Sequence, residues 1–279
     1  MVGMRHSGWT PLWQTVWVWG TAVLVSGAFL GSAFRADKES VRLRLNLEPG
    51  AHIDIKTEVK STLYTDESQS QLFTKQDIAL GLSIDIESVQ TQQYNASLRI
   101  TGLKMDQEMG GIRLQYDSEQ TEQTGMGAMV DAEIRPMLGQ PIRLALDPSG
   151  NLIELDRSSS VLRDFEVSSL GLMGYPEEPI SVGFTWNRSL SIPGASARMA
   201  AEYTVLDLTA SKVRVSMKAQ IQGEGSVQGV ELKGQITIDR KTGIPVQQQS
   251  EMSARLEGMG EQGETLYLLL TSSSQSSIR

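Results

Sequence analysis

Alternation of apolar and polar residues restricts the fold of this chain more than any other feature of its sequence. In the segment VRLRLNL (41–47), every second side chain is apolar and the intervening ones are polar. The same period of two returns in HIDIKTEV (52–59), IALGLSIDIESV (78–89), YNASLRITGLKM (94–105) and KVRVSMKAQI (212–221). This pattern is typical of β-strands that have one face on a core and one face in water.

Turn signals separate the alternating segments and indicate that most of them are joined as hairpins. DPSG (147–150) places proline and glycine where a type I turn favours them, and DRKTG (239–243) supplies a glycine for a positive φ. The sequence therefore predicts a mainly β fold, a large antiparallel curved sheet or incomplete β-barrel of roughly a dozen strands. No linker rich in proline, glycine or serine interrupts residues 37–279, which we predict to form a single domain.

Two segments in the middle of the chain have the spacing of short amphipathic helices instead. The first, GMGAMVDAEIRPMLGQ (125–140), carries Met126, Met129 and Met137 at helical spacings. The second, SSSVLRDFEVSSLGLM (158–173), follows a serine cap signal and carries Phe165 and Leu170. We expect both inserts to lie over one face of the sheet.

The first 36 residues predict export from the cytoplasm. No charged residue occurs between Ser7 and Phe34, and small residues at Gly31 and Ala33 fit a cleavage site. This span indicates a signal peptide or, as the alternative, an uncleaved membrane anchor, because it could cross a bilayer of roughly 30 Å. Both interpretations place the remaining chain in the periplasm or elsewhere in the cell envelope.

Composition argues against several classes of function. The chain has no cysteine and two histidines, so zinc sites made of three or four His and Cys ligands cannot form. The formal net charge of −8 argues against nucleic acid as a partner. His52, in an alternating segment, is interpreted as a surface strand residue. We therefore predict no cofactor and no enzymatic activity, with a carboxylate-based glycosidase as the residual alternative.

Methionines and the single late tryptophan suggest a site for an apolar ligand. Flexible thioethers suit an adaptable apolar surface, although they also fill irregular cores. A groove between sheet and helices, holding a lipid or another apolar ligand, would be lined by Met126, Met129, Met137, Phe165, Leu170 and Trp186. The competing hypothesis is a structural or protein-interaction module of the cell envelope, tethered to the membrane if the N-terminal segment is uncleaved. The oligomeric state is left open.

Trp186 has two interpretations, because it is the only tryptophan beyond residue 19. Pro176, Pro179 and Gly183 precede it and favour a structural corner at the start of a strand. As a corner residue it would plug the core, whereas as a ligand contact it would line the groove.

The same stretch, PEEPISVGFTW (176–186), resembles a P-x-x-P-[VI]-x-V-G-[DE]-x-W segment of bacterial exported proteins of unknown function. Pro176, Pro179, Val182, Gly183 and Trp186 match it, and Asp239–Gly243 matches their late D-x-x-T-G hairpin, whereas Phe184 stands where an acidic residue is usual. The similarity in order covers nearly all of residues 40–275. These proteins are similar in architecture to periplasmic lipoprotein carriers, in which a curved half-barrel holds lipid under helices. The resemblance implies that architecture and brings no catalytic residue with it.

Overall fold

The computed structural model describes residues 39–156, 174–191, 197–223, 227–257 and 264–279. Within these ranges the chain forms twelve strands and one helix, α1 (Met126–Ile134), which lies between the fourth and fifth strands. The strands are β1 (His52–Tyr64), β2 (Leu72–Gln90), β3 (Gln93–Met109), β4 (Ile112–Asp117), β5 (Ile142–Leu146), β6 (Leu152–Leu155), β7 (Thr185–Ser191), β8 (Ala197–Leu208), β9 (Lys212–Gly223), β10 (Val227–Asp239), β11 (Pro245–Leu256) and β12 (Leu266–Ile278).

All the described strands belong to one antiparallel sheet, which confirms the predicted fold class. Their order is β6-β5-β3-β2-β1-β12-β11-β10-β9-β8-β7, and β4 pairs with β3 beside this path. β4 and β5 share one edge of β3, because β5 pairs with its first part and β4 with its last part. Hairpins supply most of the pairings, as the turn signals predicted.

The sheet is strongly curled. Eleven strands lie on the path from β6 to β7, so a flat sheet would separate these edges by about 48 Å at ~4.8 Å per strand. The edges nevertheless meet, because the Arg188 guanidinium of β7 donates a hydrogen bond to the Asn151 side chain in the β5–β6 turn. The Tyr175 amide, shortly before β7, also donates to the carbonyl of Ser149 in that turn, at 2.8 Å. Curling therefore lets the apolar face bury itself.

The two faces of the sheet differ sharply in chemistry. We call the face that carries the buried apolar core the inner face and the opposite one the outer face. A β-bulge in β3 changes which positions of the strand face the core. Leu82 pairs with Ile100 and Gly81 with Gly102, which leaves Thr101 unpaired. Buried apolar side chains therefore occupy even positions of β3 before Thr101 and odd positions after it. Gly81 belongs to this bulge, because a Cβ there would lie 2.7 Å from the Thr101 hydroxyl.

Residues 41–47 are not part of the sheet, contrary to what their alternation predicts. This segment, here called the strap, has its apolar side chains in the core and is extended. Its backbone bonds go to turns: the Leu45 amide donates to Pro148 (2.7 Å) and the Asn46 amide to Thr242 (2.9 Å). Val41 alone makes a bridge, to Ile180. The alternating pattern correctly marks which side chains of the strap are buried. The backbone amides of the strap, however, bond to loops instead of a neighbouring strand.

The first helical insert is confirmed as a helix, shorter than its pattern. α1 ends at Ile134, and a 3₁₀ turn, Arg135–Met137, follows it. Pro136 explains the end, because proline has no amide hydrogen to continue an α-helix. The second predicted insert, 158–173, lies outside the described residues, as does the N-terminal segment 1–36.

Candidate binding surface

α1 turns its methionines towards water. Gly127, Val130 and Ile134 form its packing face, and the last two contact a small cluster of Leu103, Met105 and Tyr116. Met126 and Met129 are 48% and 72% exposed. Gly127 explains the orientation, because a Cβ there would lie 2.5 Å from the Gln115 carbonyl oxygen. The helix thus approaches β4 through a glycine, while Met137, in the 3₁₀ turn, is partly buried.

Trp186 lies elsewhere, in the main core. Its ring stacks on Tyr203 with centroids 4.9 Å apart and is tilted against Phe184 at 6.4 Å. The indole is 7% exposed, and its Nε1 has no hydrogen-bond partner among the described residues. Trp186 belongs to the large cluster and α1 to the small one, so the structure does not bring them into one cluster. Phe165 and Leu170 lie outside the described residues, and all six remain predictions as ligand contacts.

The inner face is covered mainly by the chain itself. Leu43, Leu45 and Leu47 of the strap are buried among strand residues from β1 through β12. The strap is fixed on several sides: the Tyr94 hydroxyl donates to Leu45 (2.6 Å) and the Arg44 guanidinium to the Pro176 carbonyl (2.7 Å). The curl of the sheet and the strap therefore cover much of the inner face.

The outer face carries a trough, made of two adjoining cavities, that crosses seven strands. Two neighbouring cross-strand rows form its sides, running from β10 over β11, β12, β1, β2 and β3 to β4. In register, the first row is Lys233, Glu251, Thr271, Lys60, Asp77, Asp106 and Gln115. The second row is Gln235, Gln249, Ser273, Glu58, Ala79, Lys104 and Asp117.

Two surface cavities lie between these rows and adjoin each other at β1. The cavity over β1–β4 has a volume of about 520 Å³ and is flanked by loop residues 120–124. The cavity over β10–β12 and β1 has a volume of about 480 Å³. Glu58 and Lys60 line both of them, so the two cavities are direct neighbours. The twist of the sheet explains the shape of the trough. The outer face of a twisted, curled sheet is convex in the direction across the strands and concave in the direction along them, like the surface of a hyperboloid.

The floor of the trough is the backbone of the residues that lie between the two rows. Over β10–β12 these residues are small. Gly234, Ser250 and Ser272 are aligned there. Gly234 alternates with the buried Leu232 and Ile236, so a Cβ at this position would point away from the trough, 2.8 Å from the Gln249 carbonyl oxygen and 3.0 Å from Cε of the buried Met217. The Ser250 and Ser272 side chains point to the inner side of the sheet, where their hydroxyls are 2.7 Å apart and hydrogen-bond to each other.

The two ends of the trough differ in charge. The cavity over β1–β4 is lined by five carboxylates and two lysines, Lys60 and Lys104, for a net charge of −3. The cavity over β10–β12 has two carboxylates, Glu58 and Glu251, balanced by two lysines. Its remaining polar side chains are uncharged amides and hydroxyls. The trough is therefore acidic at one end and neutral at the other.

Ion pairs neutralise part of the acidic end. Arg113 binds Asp106 through two donors, at 2.9 and 2.5 Å, and holds the pKa of that carboxyl below its usual value. Glu119 and Asp117 similarly raise the pKa of Lys104. Asp77 is less well satisfied. Its Oδ1 is shielded from water without a hydrogen-bond partner among the described residues, and its Oδ2 lies 3.8 Å from Lys75 Nζ.

A separate charged network surrounds His52 on the outer face, at the start of β1. His52 Nδ1 lies 2.5 Å from Asp85, and Nε2 lies 3.1 Å from Asp54. Carboxylates only accept hydrogen bonds, so this geometry fits a doubly protonated imidazolium. These hydrogen bonds, that of Asp85 first, raise the pKa of His52. Arg99 binds Asp85, and Arg279 binds Asp54.

This network is structural in character. It links β1, β2 and β3 with the residue that follows β12, and each ring nitrogen of His52 already faces a carboxylate. Hydrogen bonds also lower the pKa of Asp54, chiefly through Arg279, and of Asp85, chiefly through His52. In the described ranges, no group of three His, Cys, Asp or Glu side chains could hold a metal ion. The sequence placed His52 on a surface strand but did not reveal its partners.

Comparisons with known proteins give no family for this chain. No protein-family model and no curated protein matches it. Among solved structures, DynF from the dynemicin biosynthesis pathway of Micromonospora chersina has a TM-score of 0.22 and 11% identity, covering 90% of this chain and 88% of its own. An outer membrane channel from Pseudomonas putida F1 has a TM-score of 0.26 and 9% identity, covering 88% of this chain and 100% of its own. Likeness this distant supports no statement about function. Within the described residues, the helix is too short to span a bilayer.

Proposed function

We propose that this protein is a non-enzymatic binding module of the cell envelope that holds an extended polar ligand in the outer-face trough. The observation that carries the proposal is the alignment of two adjoining surface cavities in one line across seven strands. With about 4.8 Å between strands, the groove is about 29 Å long. That length suits an extended chain better than a compact small molecule.

The side chains along the trough favour binding over catalysis. Gln235 and Gln249 offer both donors and acceptors, and Thr271 and Ser273 offer hydroxyls. No histidine, the side chain whose usual pKa lies nearest neutrality, lines either of these two cavities. Export to the cell envelope, predicted from residues 1–36, belongs to the same proposal.

Site-specific crosslinking tests this function directly. Because the chain has no cysteine, Ser273→Cys and Ser277→Cys each introduce a unique attachment point for a benzophenone maleimide. Both serines lie on the outer face of β12, and only Ser273 lines the trough. After illumination in an envelope extract of the producing cells, we expect adducts from position 273 and not from position 277. Equal labelling from both positions, or none from either, would contradict the proposal.

A second candidate function is binding of a lipid or acyl chain, and the exposed face of α1 favours it. Met126 and Met129 point to solvent, and Ile112 at the start of the adjacent β4 is also exposed. Thioethers adapt to flexible apolar ligands. The resemblance to lipoprotein-carrier architecture supports the same idea. Native mass spectrometry of gently purified protein, followed by lipid extraction, tests it: protein that is ligand-free and indifferent to added lipid would rule it out.

A further inference from the structure

The charge gradient along the trough indicates what kind of extended ligand it binds. We propose that the occupant is an extended polypeptide segment of about nine residues. Its basic side chains lie over β2–β4, and its uncharged polar side chains lie over β10–β12. The length follows from the groove of about 29 Å and a rise of ~3.3 Å per extended residue. This inference rests on the proposed function and specifies its ligand.

The basic half of the segment is assigned from two carboxylates at the acidic end. The Asp77 side chain is 41% exposed, and its Oδ2 makes a long ion-pair contact, 3.8 Å to Lys75 Nζ. Glu122 faces the same cavity from the flanking loop. Asp106 and Asp117, by contrast, already bind Arg113 and Lys104. A lysine or arginine donor from the ligand would pair with Asp77 Oδ2 and with Glu122.

The uncharged half is assigned from the amides at the other end. A peptide backbone presents alternating donors and acceptors, and the side-chain amides of Gln235 and Gln249 match both. A polyamine has no acceptors and would leave the amide hydrogens of these glutamines unused. A glycan normally stacks its rings on aromatic side chains, and Tyr116 is the sole aromatic residue lining the described cavities. A peptide therefore fits both halves.

Binding of defined peptides tests the assignment. The probes are fluorescein-labelled nine-residue peptides: three lysines followed by six alternating serine and glutamine residues, and the same peptide with the lysines replaced by glutamates. Fluorescence anisotropy with the full chain should show tighter binding of the lysine peptide, weakening as salt rises. The double variant Asp77→Asn, Glu122→Gln should weaken it about tenfold, since each exposed ion pair contributes up to ~1 kcal/mol.

A matched control keeps the test specific. Glu87→Gln with Glu154→Gln removes the same charge from exposed positions that line neither cavity, and it should change affinity less than about twofold. Thermal denaturation confirms that both double variants remain folded. Equal affinity for the lysine and glutamate peptides, equal weakening by both double variants, or preference for a neutral oligosaccharide would overturn the inference. Position-specific crosslinking at Ser273 would still support the trough as a site in any of these cases.

Discussion

The strap and α1 are both short amphipathic segments, but the fold treats them in opposite ways. The strap is held from several sides, with turns binding its backbone and strands surrounding its leucines. α1 packs through one face, on a three-residue cluster formed by β3 and β4, and leaves Met126 and Met129 in water. The difference teaches that amphipathicity alone does not measure how much a segment contributes to stability. What counts is whether its polar backbone and apolar side chains are both enclosed.

Truncating a strap leucine should have the largest effect. Leu43 is 1% exposed, so Leu43→Ala removes a buried side chain and leaves a cavity. We expect the free energy of unfolding to fall by about 2–5 kcal/mol. Urea denaturation followed by circular dichroism measures it. Leu206→Ala, at an exposed leucine of β8, is the matched control and should cost less than about 0.5 kcal/mol. Similar losses at the two positions would show that the strap is not part of the core.

A backbone substitution under the strap should have the next largest effect. Gly243 has a φ of 72°, and a Cβ at this position would overlap the Arg44 carbonyl oxygen. Gly243→Ala should therefore cost about 2–4 kcal/mol of unfolding free energy, from conformational strain and displacement of the strap. Gly50→Ala separates these causes, because Gly50 has a φ of 87° with open space around its Cβ. It should cost about 1 kcal/mol. Equal losses of unfolding free energy at the two glycines would show that conformational strain alone explains the effect at Gly243.

The sequence predicts what is local in this fold and misses what depends on distant partners. Period-two alternation identifies one-face-apolar strands because each strand records its own burial, and it correctly assigned the side chains of the strap. It did not show that Leu45 and Asn46 bond to turns more than a hundred residues away. Helical spacing predicted α1, but the methionines drew attention to the side of the helix that faces water. Gly127, beside Val130, was the available signal for close packing of the other side.

The trough was missed for a related reason. It consists of side chains that alternation marks only as solvent-facing, and it exists because the registers of seven strands align them. Lys60 and Glu251, for example, share a row although they are distant in sequence. Pairing register over long loops is set by the whole sheet, so no local pattern contains it. The same applies to His52 and Asp85, which are directly opposite in β1 and β2.

The network where the strap leads into β1 should make stability depend on pH. The pKa of His52 is raised in the folded chain, so its protonation stabilises the fold fully below the unfolded pKa of ~6.5. That contribution is lost as pH rises through the higher folded pKa. The pKa values of Asp54 and Asp85 are lowered, so their contribution is present above ~3.9 and lost as pH falls through the lowered folded values.

His52→Gln isolates this effect. Between about pH 5 and about pH 8.5, we expect the natural chain to lose about 1 kcal/mol of unfolding free energy as His52 deprotonates. Urea denaturation at the two pH values measures the loss. The variant should lack it, because glutamine does not titrate. If the natural chain and the variant change equally, the pH dependence comes from other groups and the network does not act as a charged link between strands.

The smallest effect on stability should come from the exposed side of α1. Met129 is 72% exposed, so Met129→Gln should change the free energy of unfolding by less than about 0.5 kcal/mol. Val130→Gln, one position further, inserts an amide into the packing face and should cost about 1–2 kcal/mol. Urea denaturation of the pair measures the asymmetry of the helix. If Met129→Gln instead destabilises the chain as much as Val130→Gln, the methionine face is packed in solution. A stable Met129→Gln variant that retains less co-purified lipid would show that this face binds an apolar ligand without contributing to the fold.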